Sequence, residues 1–142
     1  MQTLRLGFIG AGFIARFHAT ALKQVRGVEL VGVVSPNRAA SFAEFVRESN
    51  LGDCKAYKTV DELCRNCDVV CILAPNHLRV ELMTQIVDAV KGGAKLKGIA
   101  CEKPLGRNVE EAEQLTRLAT ATTLPTIYLE NQIHMRPFKR QL

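Results

Sequence analysis

Residues 9–19 read IGAGFIARFHA. Two glycines flank Ala11, and Ala15 falls three places after Gly12. An apolar run, TLRLGFI over Thr3–Ile9, leads into this stretch. Behind it Ile14, Phe17, Ala21, Leu22 and Val25 recur at helical spacing until Gly27, which predicts a buried strand, a glycine turn and a helix. In that setting each small residue has a use. Gly10 can make the tight turn, Gly12 lets a pyrophosphate approach the backbone, and Ala15 lets the helix pack close to the strand. Free N–H groups at the helix start, with the helix dipole behind them, favour an anion. A structural turn that binds nothing would satisfy the same spacing.

The rest of the chain repeats the alternation. VELVGVV (Val28–Val34) is β-branched and apolar, a second buried strand. Phe42, Phe45 and Val46 mark a helix, and a short strand is expected near CKAYK. Thr59 and Glu62 have capping-box spacing before another helix. DVVCILA (Asp68–Ala74) reads as a strand, then Leu78, Leu82, Ile86 and Val90 as a helix face ended by Gly92-Gly93. GIAC (Gly98–Cys101), a helix capped by Asn108 with Glu111, and TIYLE (Thr126–Glu130) complete the series. Continuous apolar strands alternating with amphipathic helices predict an α/β fold, a doubly wound parallel sheet of the Rossmann type covered on both faces.

With 142 residues, one domain is expected, and a single sizeable core is possible. Hydrophobic residues make up 47% and charged residues 23%, an ordinary globular balance. No apolar run approaches the roughly 18 residues of a membrane span, so no membrane partner is expected. MQTLRLGFIG starts a strand at once, which leaves no room for a signal peptide, and a cytoplasmic setting is expected. The net charge of +5 comes from scattered residues; only the terminal FKRQL pairs two of them, without interleaved aromatics. No nucleic-acid partner is expected, whereas a mildly positive domain suits an anionic cofactor. Five cysteines, an odd number, point to a reducing compartment. Cys64, Cys67 and Cys71 have metal-like spacing, but no second pair exists for zinc and Cys64 and Cys67 fall at a helix end, so no metal site is expected. His18, on the apolar stripe of the first helix, is expected to be a packed core residue.

In a sheet of this kind ligands sit beyond the carboxyl ends of the strands. The second strand ends in Ser35 where an NAD-binding site would carry an acid, and Arg38 follows. A hydroxyl and a guanidinium suit a ribose 2′-phosphate, so NADP is expected ahead of NAD. The alternative is that Arg38 is a solvated residue at a helix start. The later exits read LAPNHLR, CEKPLG and LENQIHMRP, the last carrying Asn131 and His134. Glu102 and Lys103 leave an apolar strand before Pro104. A lysine at such a mouth could hydrogen-bond a substrate hydroxyl and shuttle its proton, although a plain charged pair would look the same.

GFIGAGFIARFHATAL, LAPNHLRVE and CEKPLG together resemble the N-terminal domain of the Gfo/Idh/MocA oxidoreductases, the glucose–fructose oxidoreductase and inositol dehydrogenase group. The resemblance implies a dinucleotide-binding domain over residues 1–131, and over 132–142 the start of a segment leading to a second, α+β domain that this chain does not include. It implies Gly10, Gly12, Phe13 and Ile14 around the pyrophosphate and Ser35 and Arg38 near the adenosine ribose. Pro75, Asn76 and His77 would border the nicotinamide half, with Glu102 and Lys103 beside the nicotinamide ribose and substrate, Asn131 as a further cofactor contact and Lys103 as the catalytic residue. Family members often carry a histidine where this chain has Arg79. Their second domain supplies an aspartate and a histidine to catalysis, most substrate contacts and usually the oligomer interface, so a homo-oligomer would form through that domain. The function implied is an NAD(P)-dependent oxidoreductase of sugar- or polyol-like hydroxyl compounds, represented by its cofactor domain. The alternative is a non-catalytic dinucleotide sensor that binds protein partners, as in a fungal galactose-pathway repressor.

Overall fold

The computed structural model describes residues 3–134. Six parallel strands form one sheet in the order β3-β2-β1-β4-β5-β6. The strands are β1 (Leu4–Ile9), β2 (Val28–Val34), β3 (Lys55–Tyr57), β4 (Val69–Ile72), β5 (Gly98–Glu102) and β6 (Thr126–Leu129). The helices between them are α1 (Phe13–Ala21), α2 (Ala39–Glu48), α3 (Val60–Asn66), α4 (Arg79–Lys91) and α5 (Val109–Ala121). The chain moves outward from β1 to β3, then returns to β1's other side with β4 and moves outward again. That reversal opens a crevice at the carboxyl ends of β1 and β4.

Alternate side chains of each strand feed two cores. Val70 and Ile72 of β4, with Ile99 and Cys101 of β5, pack beneath α3, α4 and α5 through Leu63, Ile86 and Leu115. Leu6 and Phe8 of β1, with Leu30 and Val33 of β2, pack beneath α1 and α2 through Ala15, Ala19, Phe42 and Val46. Deep burial of these apolar groups on both faces is the main stabilising contribution. At the amino end of the sheet Asp68 ties two strands, accepting from the Arg5 amide at 2.9 Å and pairing with the Lys97 ammonium at 3.0 Å.

Two expectations need correction. The face of α1 that meets the sheet is Ala15 and Ala19, while Phe17 is 56% and Val25 49% exposed. Small residues let the helix approach the strands closely, so the bulky ones point outward. His18 is not a core residue either: its side chain is 30% exposed and reaches Glu102. The helix starts agree with the sequence. Thr59 and Glu62 form both bonds of the capping box, at 3.1 and 3.2 Å, and Asn108 accepts from the Glu111 amide at 2.9 Å. A short 3-10 turn, Asn131–His134, follows β6, and the expected interdomain segment from residue 135 onward lies outside the described residues.

Candidate functional site

The crevice is built from the backbone outward. The ladder continues past the strand ends, with Gly10 N bonded to Val34 O and Leu73 N to Ile9 O, each at 2.8 Å. This holds the first turn against the exit of β4. Gly10 has φ +110°, and a Cβ there would lie 2.8 Å from Ala74 N and 2.9 Å from Leu73 C. Only glycine fits, because both the conformation and the neighbouring backbone exclude a side chain. Gly12 differs: its φ of −83° is ordinary, and a Cβ there would meet nothing within 4 Å. It is the N-cap of α1 and makes no side-chain cap bond, so the first N–H groups of the nine-residue helix are open.

These features edge a cleft of about 970 Å³. Gly10, Gly12, Phe13, Ile14, Ser35, Arg38, Pro75, Glu102 and Lys103 all line it, which brings most of the expected site together. Arg38 is exposed at the start of α2, where its carbonyl accepts from Phe42 N at 3.0 Å and its side chain is free to turn toward a ligand. Asn76 and His77 do not line the cleft; they form the 3-10 turn Asn76–Leu78 just past Pro75. Asn131 lines a second cavity of about 260 Å³ with His18, Glu102, Lys103 and Tyr128. Glu102 and Lys103 border both cavities.

At the end of β5 the Glu102 side chain is nearly buried and its Oε2 lies 3.0 Å from His18 Nε2, a spacing that needs a proton between them. Lys103 stands exposed beyond it and joins Pro104 through a cis peptide. Two residues were missed from sequence. His18 follows Gly12 by six places, far enough round α1 to face β5 rather than the core. Arg79 is the other. Its buried side chain donates from Nε to Ala74 O at 3.3 Å and from Nη2 to Lys103 O at 3.2 Å, bridging the exits of β4 and β5.

The cysteines stay apart from this chemistry. All five are free and buried. Burial pushes the thiols of Cys54, Cys64 and Cys71 up to about 12 and raises those of Cys67 and Cys101 as well. No group of metal-binding side chains occurs among the described residues. The folded protein should therefore resist iodoacetamide at neutral pH, since the thiolate is the nucleophile. Mass spectrometry should find all five thiols modified only after denaturation.

A parallel sheet in this strand order, with an uncapped helix start and an open Gly12 at its switch point, defines a Rossmann-type dinucleotide-binding domain. Residues 4–128 match the family described as "Oxidoreductase family, NAD-binding Rossmann fold". The chain belongs to this Gfo/Idh/MocA family. It is 37% identical over 110 residues to a glucose-6-phosphate 3-dehydrogenase of Bacillus subtilis, covering 76% of this chain and 28% of that protein. The solved UDP-N-acetylglucosamine 3-dehydrogenase of Acidithiobacillus ferrooxidans superposes with a TM-score of 0.78 at 26% identity, over 99% of this chain and 43% of that one. Gal80p of Saccharomyces cerevisiae shares the fold, with a TM-score of 0.77 at 20% identity over 89% of this chain and 34% of its own. The chain spans between 28% and 38% of the length of the first curated relatives it matches. Among the described residues no helix is long and apolar enough to cross a membrane.

Proposed function

We propose that this chain is the cofactor-binding part of an NAD(P)-dependent oxidoreductase acting on a hydroxyl of a sugar- or polyol-like compound. The observation that carries the reading is the pairing of an open Gly12 and an uncapped α1 with Lys103 on one cleft. A bound nicotinamide dinucleotide supplies hydride exchange with a hydroxyl-bearing carbon. The chain's own residues do the rest. The α1 amides hold the pyrophosphate, with Gly12 leaving room and Phe13 and Ile14 beside it. Ser35 and Arg38 hold the adenosine ribose and its 2′-phosphate. Pro75 borders the nicotinamide half, with Asn76 and His77 in the turn just past it, and Asn131 is a further contact from the adjoining cavity. Glu102, held by His18, keeps the ribose and Lys103 in register, and Lys103 donates or accepts the hydroxyl proton. The intact Glu102-Lys103 pair favours an enzyme over a sensor that binds the dinucleotide without chemistry.

Titration calorimetry on the 142-residue chain tests the first step. NADP is expected to bind more tightly than NAD. Arg38→Ala should narrow the gap by roughly 1.5–3 kcal/mol, the worth of a hydrogen bond to a charged group. A parent that prefers NAD would reject the assignment of Ser35 and Arg38, and a parent that binds neither would reject the function.

A further inference from the structure

Arg79 is a buried charge without an anion. It opens α4 with 3% of its surface exposed. Such burial is costly for a guanidinium unless an opposite charge offsets it. Its Nε and Nη2 donate to the neutral carbonyls of Ala74 and Lys103. Nη1 is closed off from solvent and bonds to nothing. None of the ion pairs among the described residues includes Arg79.

Among the described residues none of the groups around it forms an ion pair with it. Burial raises the Cys101 thiol, and the guanidinium's charge and its side-chain contact with the sulfur draw it back only in part, so the thiol stays neutral. Glu102, the acid on the same strand exit, has its carboxylate turned to His18 at 3.0 Å. Lys103 adds a second cation on the same cleft. Arg79 belongs to the cleft wall, yet its free nitrogen does not reach the open space. Its charge therefore acts on a ligand through the protein rather than by contact, where screening is weaker than in water.

We propose that Arg79 is a fixed positive charge beneath the nicotinamide end of the cleft, and that it makes the domain prefer the reduced, uncharged nicotinamide over the oxidised, cationic one. This rests on the dinucleotide reading above. The two redox forms share the adenosine, the riboses and the phosphates, so whatever Arg79 does for those parts cancels in the ratio of their affinities. What remains is the interaction with the ring, where two like charges disfavour the oxidised form. The expected contribution of Arg79 is about tenfold in that ratio, the scale of a like-charge interaction across a partly buried wall. For a two-electron couple, tenfold corresponds to about 30 mV, displaced toward the reduced cofactor.

The test titrates the 142-residue chain with NADP and with NADPH, following calorimetric heat and dihydronicotinamide fluorescence, in the parent and in Arg79→Met, Arg79→Gln and Arg79→Lys. Circular dichroism checks that each variant is folded. Arg79→Gln is the second neutral variant, still able to donate to one carbonyl if the methionine variant does not fold. The parent should favour NADPH, the neutral variants should lower that preference about tenfold, and Arg79→Lys should keep most of it. An unchanged ratio in the neutral variants would overturn the inference while leaving the dinucleotide site intact. An equal fall in Arg79→Lys would also overturn it, because the carbonyl bridge and not the charge would then set the ratio. A parent that binds neither form would overturn the dinucleotide reading itself.

Discussion

Gly12→Val is expected to fold like the parent and to lose dinucleotide binding, whereas Gly10→Val is expected to destabilise the fold severely. The two glycines sit two residues apart and are held for different reasons. At Gly12 the backbone is extended and a Cβ would enter open space, so valine costs the chain only about 1 kcal/mol, chiefly as a poor N-cap. The branched side chain stands instead where a pyrophosphate must approach. Overpacking of about 1–3 kcal/mol at that contact, added to obstruction of the α1 amides, should weaken binding on the order of 100-fold. At Gly10 a side chain meets the Leu73–Ala74 backbone below 3 Å in a left-handed conformation. Strain and overpacking there sum to roughly 2–6 kcal/mol, comparable with the whole stability of a small domain. A thermal melt should fall on the order of 10 °C or more. Calorimetry on Gly12→Val decides the functional half: equal binding in variant and parent would put the ligand elsewhere.

Lys103→Met is expected to spare binding and remove turnover. The substitution keeps an aliphatic stem and deletes the ammonium. The pyrophosphate site lies on another loop, so dinucleotide affinity should stay within about twofold, a few tenths of a kcal/mol. In a form of the protein that spans its relatives' full length, kcat should fall by about 10²–10⁴, the usual worth of a positioned acid–base group. The 142-residue chain alone should bind cofactor and turn over neither sugar nor polyol, since it spans about a third of its relatives. A methionine variant with parental kcat would remove Lys103 from the chemistry; no turnover in the full-length parent would favour the sensor reading.

The strands and helices were legible in the sequence because their signals are local. Apolar runs such as VELVGVV and caps such as Thr59 with Glu62 need no knowledge of the rest of the chain. Faces were harder. A search for bulky residues at helical spacing finds Phe17 and Val25, but the buried side of α1 is alanine. Hydrophobic size misleads where the backbone itself comes close. In α4 the buried stripe runs through Arg79, Met83, Ile86 and Val87, one step round from Leu78, Leu82, Ile86 and Val90. Reading in register with Met83 would have put a charge at the head of an apolar face, and that oddity was the available signal. The positions of the glycine turn and Lys103 on one cleft were legible because each directly follows an apolar strand. The His18–Glu102 contact was not, since it depends on how far α1 rotates over the end of β5.

The return of the chain from β3 to β4 also has a kinetic side. Strand β1 lies in the middle of the sheet, with β2 on one side and β4 on the other. Its pairing with β4 joins residues such as Leu6 and Val69, far apart in the chain. Closing so long a loop delays that pairing relative to the β1–β2 unit. Until β4 docks, one edge of β1 is bare, and Gly10 lacks the Leu73–Ala74 backbone that holds its turn. The glycine turn is thus translated early and shaped late. During that interval the nascent chain presents an apolar strand edge open to other strands, the condition under which chaperone capture competes with aggregation.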